Sequence, residues 1–309
     1  MTKQNLAFVF PGQGSQKTGM LAEMAAQYAV VNDTFTEASD ALGYDLWDLI
    51  QNGEQKQLNL TEKTQPILLT ASVALWRVWL QRDGAAPAMM AGHSLGEFSA
   101  LVCAGSIAFG DAVTLVRDRG QFMQTAVPVG DGAMAAVLGL DDQTIIDICS
   151  STGAEAVNFN SPGQVVIAGK VAAVEDAVAR LKEAGAKRAM PLPVSAPFHT
   201  SLMRPAGEKL AEKVNALTIT APTIPVVHNV HGRTESDPQK IAELLVEQIY
   251  SPVQWTRCVA TMVEAGIDTT LECGPGKVLS GLSKRIDKAL NSLSIETPDG
   301  LDNALSASQ

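Results

Sequence analysis

The chain has 309 residues, of which 46% are hydrophobic and 18% charged, a composition that is ordinary for a globular protein. Its formal net charge of −10 argues against nonspecific nucleic-acid binding and gives no support for binding to an anionic membrane. The N-terminal residues show no signal-peptide pattern, and no apolar run approaches the roughly 18 residues of a membrane span, so we expect a cytoplasmic protein without membrane contact.

Alternating strand and helix patterns predict an α/β domain in the first part of the chain. Leu6–Phe10 is predicted as a short buried strand that ends in the glycine-rich loop 11–16, and helical patterns follow to residue 83. The clearest helix is predicted to begin at Gln65-Pro66, because proline suits the first position of a helix. A second buried strand at Ala88–Ala91 leads into Gly92-His-Ser-Leu-Gly96 and another helix. This alternation favours a mainly parallel sheet.

From about residue 128 the pattern changes to short strands with two helices between them. The predicted elements are, in order, Ala133–Leu140 (strand), Asp141–Ser150 (helix), Ala156–Phe159 and Val165–Ala168 (hairpin), Val171–Ala184 (helix) and Arg188–Val194 (strand). The order β-α-β-β-α-β is the ferredoxin-like pattern. We therefore expect residues 128–195 to form a small ferredoxin-like subdomain, inserted between residues 1–127 and 196–309 of a large α/β domain.

The rest of the chain is predicted to complete the large domain. We expect a helix from about Ser201, a strand at Pro225–Asn229, helices near 239–249 and 254–265, a strand at Thr269–Cys273 and a closing helix. Residues beyond about 290 are polar, and we expect them to be frayed.

Ser94 is the candidate nucleophile. The strand, the Gly92–Gly96 turn and the following helix match a nucleophile elbow, in which a sharp turn lifts a serine hydroxyl above the sheet. The helix N-terminus offers free N–H groups to a developing oxyanion. In the alternative interpretation Ser94 only caps the helix. The flanking strand and helix favour a hydrolase-like core with a nucleophile elbow.

Four histidines could serve as the base for this serine. His93 adjoins Ser94 in the turn, so its side chain is expected to point elsewhere. His228 and His231 lie in or just after a predicted strand, where a structural role is the default. His199 lies in a loop that leaves the small subdomain, and catalytic residues are common in such loops. Position alone therefore favours His199.

Arg119 lies at the centre of the apolar face of a helix predicted over Asp111–Ala126. The residues within about 60° of it on that helix are Ala112, Leu115, Val116, Phe122, Met123 and Ala126. An internal salt bridge or a side chain that reaches solvent would be the structural explanation. A buried guanidinium without an anion is unfavourable, however, and its planar fork suits a carboxylate. A substrate carboxylate is therefore a candidate partner.

Gln13 lies between two glycines at the carboxyl end of the first strand, where α/β proteins bind ligands. The loop lacks the Lys-Ser/Thr of a phosphate-binding P-loop. It is either a simple turn or the source of a second oxyanion N–H, from Gln13, beside that of Leu95.

Together these segments resemble the malonyl-CoA:acyl carrier protein transacylases of bacterial fatty-acid synthesis. The matching stretches are FVFPGQGSQ (8–16), TQP (64–66), GHSLGE (92–97), RGQFMQ (119–124), NFNSPGQVVIAG (158–169), FH (198–199), PVQW (252–255) and GPGKVL (274–279). They extend over nearly the whole chain. Two departures are Phe198 before the histidine and His228 beside Asn229, and neither is expected to touch the catalytic set. Phe198 is expected to narrow the space beside the α-carbon of the substrate.

The resemblance implies a role for each candidate residue: Ser94 as nucleophile, His199 as base, Arg119 as the clamp for the malonyl carboxylate, Gln13 and Leu95 as oxyanion donors, and Gln248 as the backbone carbonyl that holds the histidine. It implies that malonyl passes from malonyl-CoA to the serine, and then to the pantetheine thiol of acyl carrier protein. No metal or redox cofactor is implied, and the four scattered cysteines form no metal-binding pair. We expect a monomer.

Two other functions share parts of this pattern. A serine esterase would have the same elbow, but it would usually need an acidic triad member and an apolar acyl pocket. A non-catalytic module that binds carrier protein would keep the fold without forming an acyl-serine. The sequence leaves open malonyl against methylmalonyl, and fatty-acid against polyketide synthesis. Since carrier proteins are generally acidic, docking is expected to use a basic cluster: Lys187-Arg188, Arg204 or Lys284-Arg285-Lys288.

Overall fold

The computed structural model describes residues 2–194 and 196–308, and Ser195, the last residue of the predicted small subdomain, lies outside them. The strands are β1 (Thr2–Phe10), β2 (Ala86–Gly92), β3 (Gly132–Leu138), β4 (Glu155–Ser161), β5 (Gln164–Lys170), β6 (Arg188–Pro191), β7 (Val226–Val227), β8 (Thr269–Glu272) and β9 (Asn291–Ser294). They form a parallel sheet and a separate antiparallel sheet, as the sequence predicts.

The helices before and within the small sheet are α1 (Ala22–Gln27), α2 (Ala29–Leu42), α3 (Leu46–Asn52), α4 (Gln55–Leu58), α5 (Thr61–Gln81), α6 (Leu95–Cys103), α7 (Phe109–Thr125), α8 (Asp142–Thr152) and α9 (Val171–Glu183). Those after it are α10 (Arg204–Val214), α11 (Pro238–Glu247), α12 (Trp255–Glu264), α13 (Val278–Ile286) and α14 (Pro298–Ala307), with 3-10 turns at Ser201–Met203 and Gln248–Tyr250. Within the described residues, none of these helices combines the length and apolar character needed to traverse a bilayer.

The parallel sheet has the strand order β7-β2-β1-β8-β9. Its central strand β1 is buried from Leu6 to Phe10, which explains why the sequence shows a continuous apolar run there rather than an alternating one. Phe10 at the end of β1 lies opposite Gly92 at the end of β2. The loop that contains Gln13 and the turn that contains Ser94 therefore leave the same edge of the sheet.

The antiparallel sheet has the strand order β4-β5-β3-β6. Along the chain its elements follow the predicted order of strand, helix, hairpin, helix and strand. Helices α8 and α9 bury their apolar faces, including Ile145, Val174 and Leu181, against Val137 and Ile167 of the sheet. The small sheet thus has a hydrophobic core of its own.

Helix α5 begins four residues earlier than predicted. Its first residue is Thr61, and Pro66 lies inside the helix rather than at its start. A proline at this position removes the N–H that would bond the carbonyl of Glu62. The helix continues because most of its residues are buried, and Leu68 and Leu75 are completely so. Packing therefore outweighs the single lost hydrogen bond.

The C-terminal segment is ordered, so the expectation of fraying beyond residue 290 is wrong. Strand β9 pairs in parallel with β8 and forms the edge of the large sheet. The Thr297 hydroxyl accepts a 3.1 Å hydrogen bond from the Gly300 N–H and so caps α14. Ile295 and Leu301 are fully buried. A few well-placed apolar side chains are enough to attach this mostly polar segment.

Candidate active site

Ser94 lies in a strained turn between β2 and α6. Its φ of 51° and ψ of −108° are unusual for a residue with a side chain. The glycines on either side have no space for a side chain: a Cβ on Gly92 would come 1.8 Å from the Gly96 carbonyl carbon, and one on Gly96 would come 2.0 Å from the Phe10 carbonyl oxygen. The turn is held by the Asn229 side-chain oxygen, which accepts a 2.7 Å hydrogen bond from the Ser94 N–H.

His199 is the histidine that contacts the serine. Its Nε2 lies 2.8 Å from the Ser94 Oγ, and its Nδ1 lies 2.8 Å from the Gln248 carbonyl oxygen. Because a carbonyl can only accept, Nδ1 carries the proton, which leaves Nε2 of the neutral ring free to accept one from the serine. His199 also has a positive φ of 64°, so both members of the pair are in strained backbone.

The imidazole of His199 is kept neutral by its surroundings. The side chain is 3% exposed, and burial together with the nearby Arg119 cation lowers its pKa to about 3, although the hydrogen bond to Gln248 opposes the change. A neutral imidazole at neutral pH can act as a general base.

Arg119 is 1% exposed and contacts three oxygen atoms of the site. Its Nη1 donates to the Gln65 Oε1 at 2.8 Å, and its Nη2 donates to the Gln248 Oε1 at 2.7 Å and to the Ser94 Oγ at 3.3 Å. The guanidinium also lies over the Phe98 ring, 5.1 Å from its centroid. Arg119 therefore lies on the buried face of α7, where the helical period predicts it, and its side chain reaches the Ser94 hydroxyl.

The charge of Arg119 has no directly bound anion. Among the described residues no carboxylate lies within salt-bridge distance of the guanidinium, so the alternative of an internal salt bridge is not observed. Burial lowers the pKa of Arg119 to about 9, and the more distant Glu97 carboxylate opposes this. The Nε of Arg119 is buried, and no described residue accepts a hydrogen bond from it. The site holds a desolvated cation and offers unused donor capacity.

A cavity of about 130 Å³ opens in front of these groups. Its walls include Gln13, Ser94, Leu95, Arg119 and His199. Met134 and Asn158 come from the antiparallel sheet, and Leu192, Val194 and Phe198 come from the segment that follows β6. Leu95 is the first residue of α6, so its N–H has no acceptor within the helix. The cavity therefore lies between the two sheets. Phe198 forms part of its wall, as expected for a residue that narrows the space beside the substrate.

The other histidines have partners away from the serine hydroxyl. The Nε2 of His93 lies 2.8 Å from the Asn160 side-chain oxygen, and the ring lines the wall of the cavity. The Nδ1 of His228 lies 2.7 Å from the buried Glu97 carboxylate. His231 is next to it, with ring centroids 6.1 Å apart. Among the four histidines, all of which the structure describes, His199 is the one whose ring lies within hydrogen-bond distance of the Ser94 hydroxyl.

Sequence reasoning missed three buried polar residues: Gln65, which lines the cavity, and Glu97 and Asn229, which lie behind it. Each bonds a site residue directly. Glu97 could have been found by the argument used for Arg119, since it lies in the strongly apolar helix α6. Within the described chain, no cluster of three or more His, Cys, Asp or Glu side chains is arranged to bind a metal.

Comparison with known proteins identifies the family to which the chain belongs. Residues 7–295 match the model of the acyl transferase domain. The chain is 58% identical to the malonyl CoA-acyl carrier protein transacylase of Escherichia coli (strain K12) over 303 residues, which cover 97% of this chain and 98% of the relative.

Two solved structures have nearly the same fold. An acyl carrier protein S-malonyltransferase from Vibrio cholerae is 55% identical with a TM-score of 0.96, and the match covers 97% of this chain and 99% of that one. A malonyl-transacylase in complex with its type II PKS acyl-carrier protein is 51% identical with a TM-score of 0.97, covering 98% and 99%. The chain belongs to the acyl transferase domain family, among the malonyl CoA-acyl carrier protein transacylases.

Proposed function

We propose that this protein transfers a malonyl group from malonyl-CoA to the pantetheine thiol of acyl carrier protein, through an ester on Ser94. The observation that carries the proposal is the convergence of two groups on one oxygen. The Ser94 Oγ lies 2.8 Å from the His199 Nε2 and 3.3 Å from the Arg119 Nη2. A base and a carboxylate-binding cation therefore meet at the nucleophile.

In the first half-reaction the Ser94 hydroxyl gives its proton to the His199 Nε2 while Oγ attacks the thioester carbonyl. The negative charge that develops on the carbonyl oxygen is stabilised by the N–H groups of Gln13 and Leu95, both of which border the cavity. Collapse of the intermediate breaks the C–S bond, and coenzyme A leaves with the proton from His199. Coenzyme A is a substrate here, and the reaction needs no metal or redox cofactor.

In the second half-reaction the malonyl ester on Ser94 is attacked by the pantetheine thiol of the carrier protein, whereas a hydrolase would use water. His199 accepts the thiol proton, sulfur attacks the Ser94 ester, and the proton returns to the Ser94 Oγ as the ester breaks. The backbone carbonyl of Gln248 holds the Nδ1 proton of His199 throughout, so that Nε2 faces the reacting atoms. Arg119 supplies two parallel hydrogen bonds to the malonyl carboxylate.

The finer architecture belongs to the same proposal. The turn at Ser94 is a nucleophile elbow, supported by its positive φ and its crowded glycines. Residues 128–195 form a ferredoxin-like subdomain, supported by the strand order β4-β5-β3-β6, and residues 1–127 with 196–309 form the large domain. We further propose a cytoplasmic monomer that supplies fatty-acid synthesis.

The experiment that tests this function compares acyl transfer with hydrolysis. Malonyl-CoA is supplied with and without the pantetheine-bearing carrier protein, and malonyl-carrier protein and free malonate are both measured. With carrier protein present we expect rapid formation of malonyl-carrier protein. Without it we expect little free malonate. Fast release of malonate without carrier protein would support an esterase instead, and the absence of both products would support a non-catalytic binding module.

A further inference from the structure

Glu97 carries a carboxylate in the most buried part of the site. It is the third residue of α6 and is completely buried. Ser94 at the N-cap and a glutamate three residues later match the sequence pattern of a capping box, in which the glutamate would bond the serine N–H. The structure shows a different arrangement, because the Ser94 N–H donates to Asn229. The Glu97 side chain is therefore free of the capping role that its position suggests.

The carboxylate instead accepts hydrogen bonds from three residues that are distant in sequence. Its Oε1 lies 2.7 Å from the His228 Nδ1. Its Oε2 accepts from the Asn229 N–H at 2.9 Å and from the Gln248 Nε2 at 2.8 Å. A buried carboxylate with three donors is well satisfied and holds them in place.

Two of these partners connect Glu97 to both sides of the serine. The Asn229 side-chain oxygen accepts from the Ser94 N–H at 2.7 Å, and the Gln248 Nε2 donates to the Ser94 carbonyl at 2.9 Å. Gln248 also reaches the rest of the site: its Oε1 accepts from Arg119 and its backbone carbonyl holds His199.

The orientation of the Gln248 amide depends on these contacts. Its Nε2 is surrounded by oxygen atoms of Glu97, Ser94 and Asn229, at 2.8, 2.9 and 3.4 Å. Its Oε1 faces a guanidinium nitrogen of Arg119. Rotating the amide by half a turn would place an NH₂ group against the guanidinium and leave the three oxygens without that donor. Only one orientation satisfies both sides.

We propose that Glu97 is a positioning residue for selection of the acyl group: by fixing the Gln248 amide it fixes the Arg119 guanidinium that binds the malonyl carboxylate. The inference rests on the proposed function, since it assigns a support to the same site. Glu97 itself is not among the described residues that line the cavity. It acts through hydrogen bonds with Gln248 and Asn229. Its side chain must be long enough for the carboxylate to reach both of them.

Two substitutions separate the reach of this side chain from its charge. Glu97→Gln keeps the length: its amide oxygen can accept from Asn229 and Gln248, and its NH₂ can donate to His228 in the other tautomer. The negative charge of Glu97, which partly offsets the effect of burial on Arg119, is lost. The malonyl carboxylate is then no longer repelled by Glu97, so its net attraction to the site is stronger. Glu97→Asp keeps the charge but withdraws the oxygens from Gln248.

A matched control is available at Glu272 in β8, which is also completely buried. Its carboxylate accepts from the N–H groups of Leu279 and Ser280 and from the Ser280 hydroxyl, none of which belongs to the site. Glu272→Asp therefore shortens a buried, hydrogen-bonded carboxylate without altering the contacts of Gln248.

The experiment measures the ratio of kcat/KM for malonyl-CoA to that for acetyl-CoA in transfer to carrier protein, on folded samples of each variant. We expect Glu97→Asp to lower the ratio about tenfold, the scale of one lost hydrogen bond to a charged group. Glu97→Gln should keep the ratio or raise it, and Glu272→Asp should keep it. Acetyl-CoA has no carboxylate, so its kcat/KM reports effects on Ser94 and His199 alone.

An unchanged ratio in Glu97→Asp would overturn the inference. So would a fall in Glu97→Gln as large as that in Glu97→Asp, or an equal fall in Glu272→Asp. Failure of the proposed function is distinguished by the wild-type protein, which would then transfer no malonyl at all. If the wild type transfers malonyl and the three variants share its ratio, only the role of Glu97 is wrong.

Discussion

At the scale of single residues, the low pKa of His199 predicts how the proposed activity depends on pH. An ordinary histidine gains a proton near pH 6.5, but burial and the Arg119 cation lower the pKa of His199 to about 3. We therefore expect kcat/KM for acylation of Ser94 to stay level as pH falls from about 8 to about 5, because this parameter reports the free enzyme. The malonyl thioester of N-acetylcysteamine is a suitable substrate because it has no titrating phosphate. A tenfold loss per pH unit below 6.5 would show that His199 titrates normally.

The lowered pKa of His199 also makes the free energy of unfolding depend on pH. Since the folded pKa lies below the unfolded one, the unfolded chain binds a proton between about pH 6.5 and 3 while the folded chain does not. The contribution of His199 to the free energy of unfolding is therefore complete above pH 6.5 and is lost as pH falls through this window. Replacement by alanine should reduce the pH dependence of the urea midpoint there.

Arg119 should select acyl groups that carry a carboxylate. Arg119→Ala is expected to cost roughly 2–5 kcal/mol in kcat/KM for malonyl-CoA, the scale for truncating one partner of a buried charge pair. Acetyl-CoA should lose little and can gain, because an uncompensated buried cation is removed. The measurement is the ratio of the two rates on folded protein at one temperature. A purely structural role for Arg119 predicts equal losses and therefore an unchanged ratio.

Several of these residues were predictable, but the side chains that contact Arg119 were not. The helical period alone places Arg119 on the buried face of α7, and the glycine spacing marks Ser94. The hydrogen-bond acceptors of Arg119 include the side chains of Gln65 and Gln248, which lie 54 and 129 positions away in the chain. No local pattern links such residues, because their contacts arise from the packing of different helices.

At the scale of helices and strands, the basic clusters provide candidate docking sites for an acidic carrier protein. Lys187 and Arg188 are exposed at the start of the edge strand β6, and Arg204 begins α10. Lys284 and Arg285 lie in the last turn of α13, and Lys288 follows it. Charge reversal at the docking cluster should raise the KM for carrier protein about tenfold and leave acylation by malonyl-CoA intact.

The docking experiment should be carried out at low ionic strength, where such attraction is strongest. Lys240→Glu, at an exposed lysine on α11, is the control for a change in net charge alone. If reversal of all three clusters together has no more effect on the KM than this control, the carrier protein does not dock through them.

Helix α14 should contribute to the stability of the large domain. Leu301 is fully buried in the same hydrophobic core as Phe8 and Leu271 of the parallel sheet. Leu301→Ala should lower the free energy of unfolding by about 2–5 kcal/mol, the usual cost of such a truncation in a core. Leu305→Ala is a useful comparison, because that side chain is only partly buried. A loss below about 0.5 kcal/mol for Leu301→Ala, typical of surface positions, would mean that α14 is dispensable.

The elements most clearly predicted were those with a local signal. Continuous apolar runs identified β1 and β2, and the turn at Pro162-Gly163 identified the hairpin of β4 and β5. Proline suggested the wrong start for α5, because tertiary packing allows Pro66 inside the helix. The pairing of β9 depends on the neighbouring edge of β8, which is created by the fold and has no trace in the local sequence.

At the scale of the whole molecule, the candidate site depends on both sheets. The Ser94 turn and Gln13 lie at the edge of the parallel sheet and Arg119 lies on α7, whereas Met134 and Asn158 line the cavity from the antiparallel sheet. His199 lies in the segment between β6 and α10, where its Nδ1 bonds the Gln248 carbonyl. The carboxyl edge of a parallel sheet is the expected location for a ligand site. The opposite wall of the cavity comes partly from the antiparallel sheet, whose strands lie between β2 and β7 along the chain.

The central claim is that malonyl is carried as an ester on Ser94, and intact-protein mass spectrometry tests it most directly. The protein is incubated with malonyl-CoA, acetyl-CoA or methylmalonyl-CoA and then mixed with carrier protein. We predict a mass increase of one malonyl group that maps to Ser94, is absent from Ser94→Ala and disappears when the acceptor thiol is added. His199→Ala should form the ester on the order of 10²–10⁴-fold more slowly. A malonyl adduct that persists in Ser94→Ala, or that carrier protein cannot remove, would contradict the account.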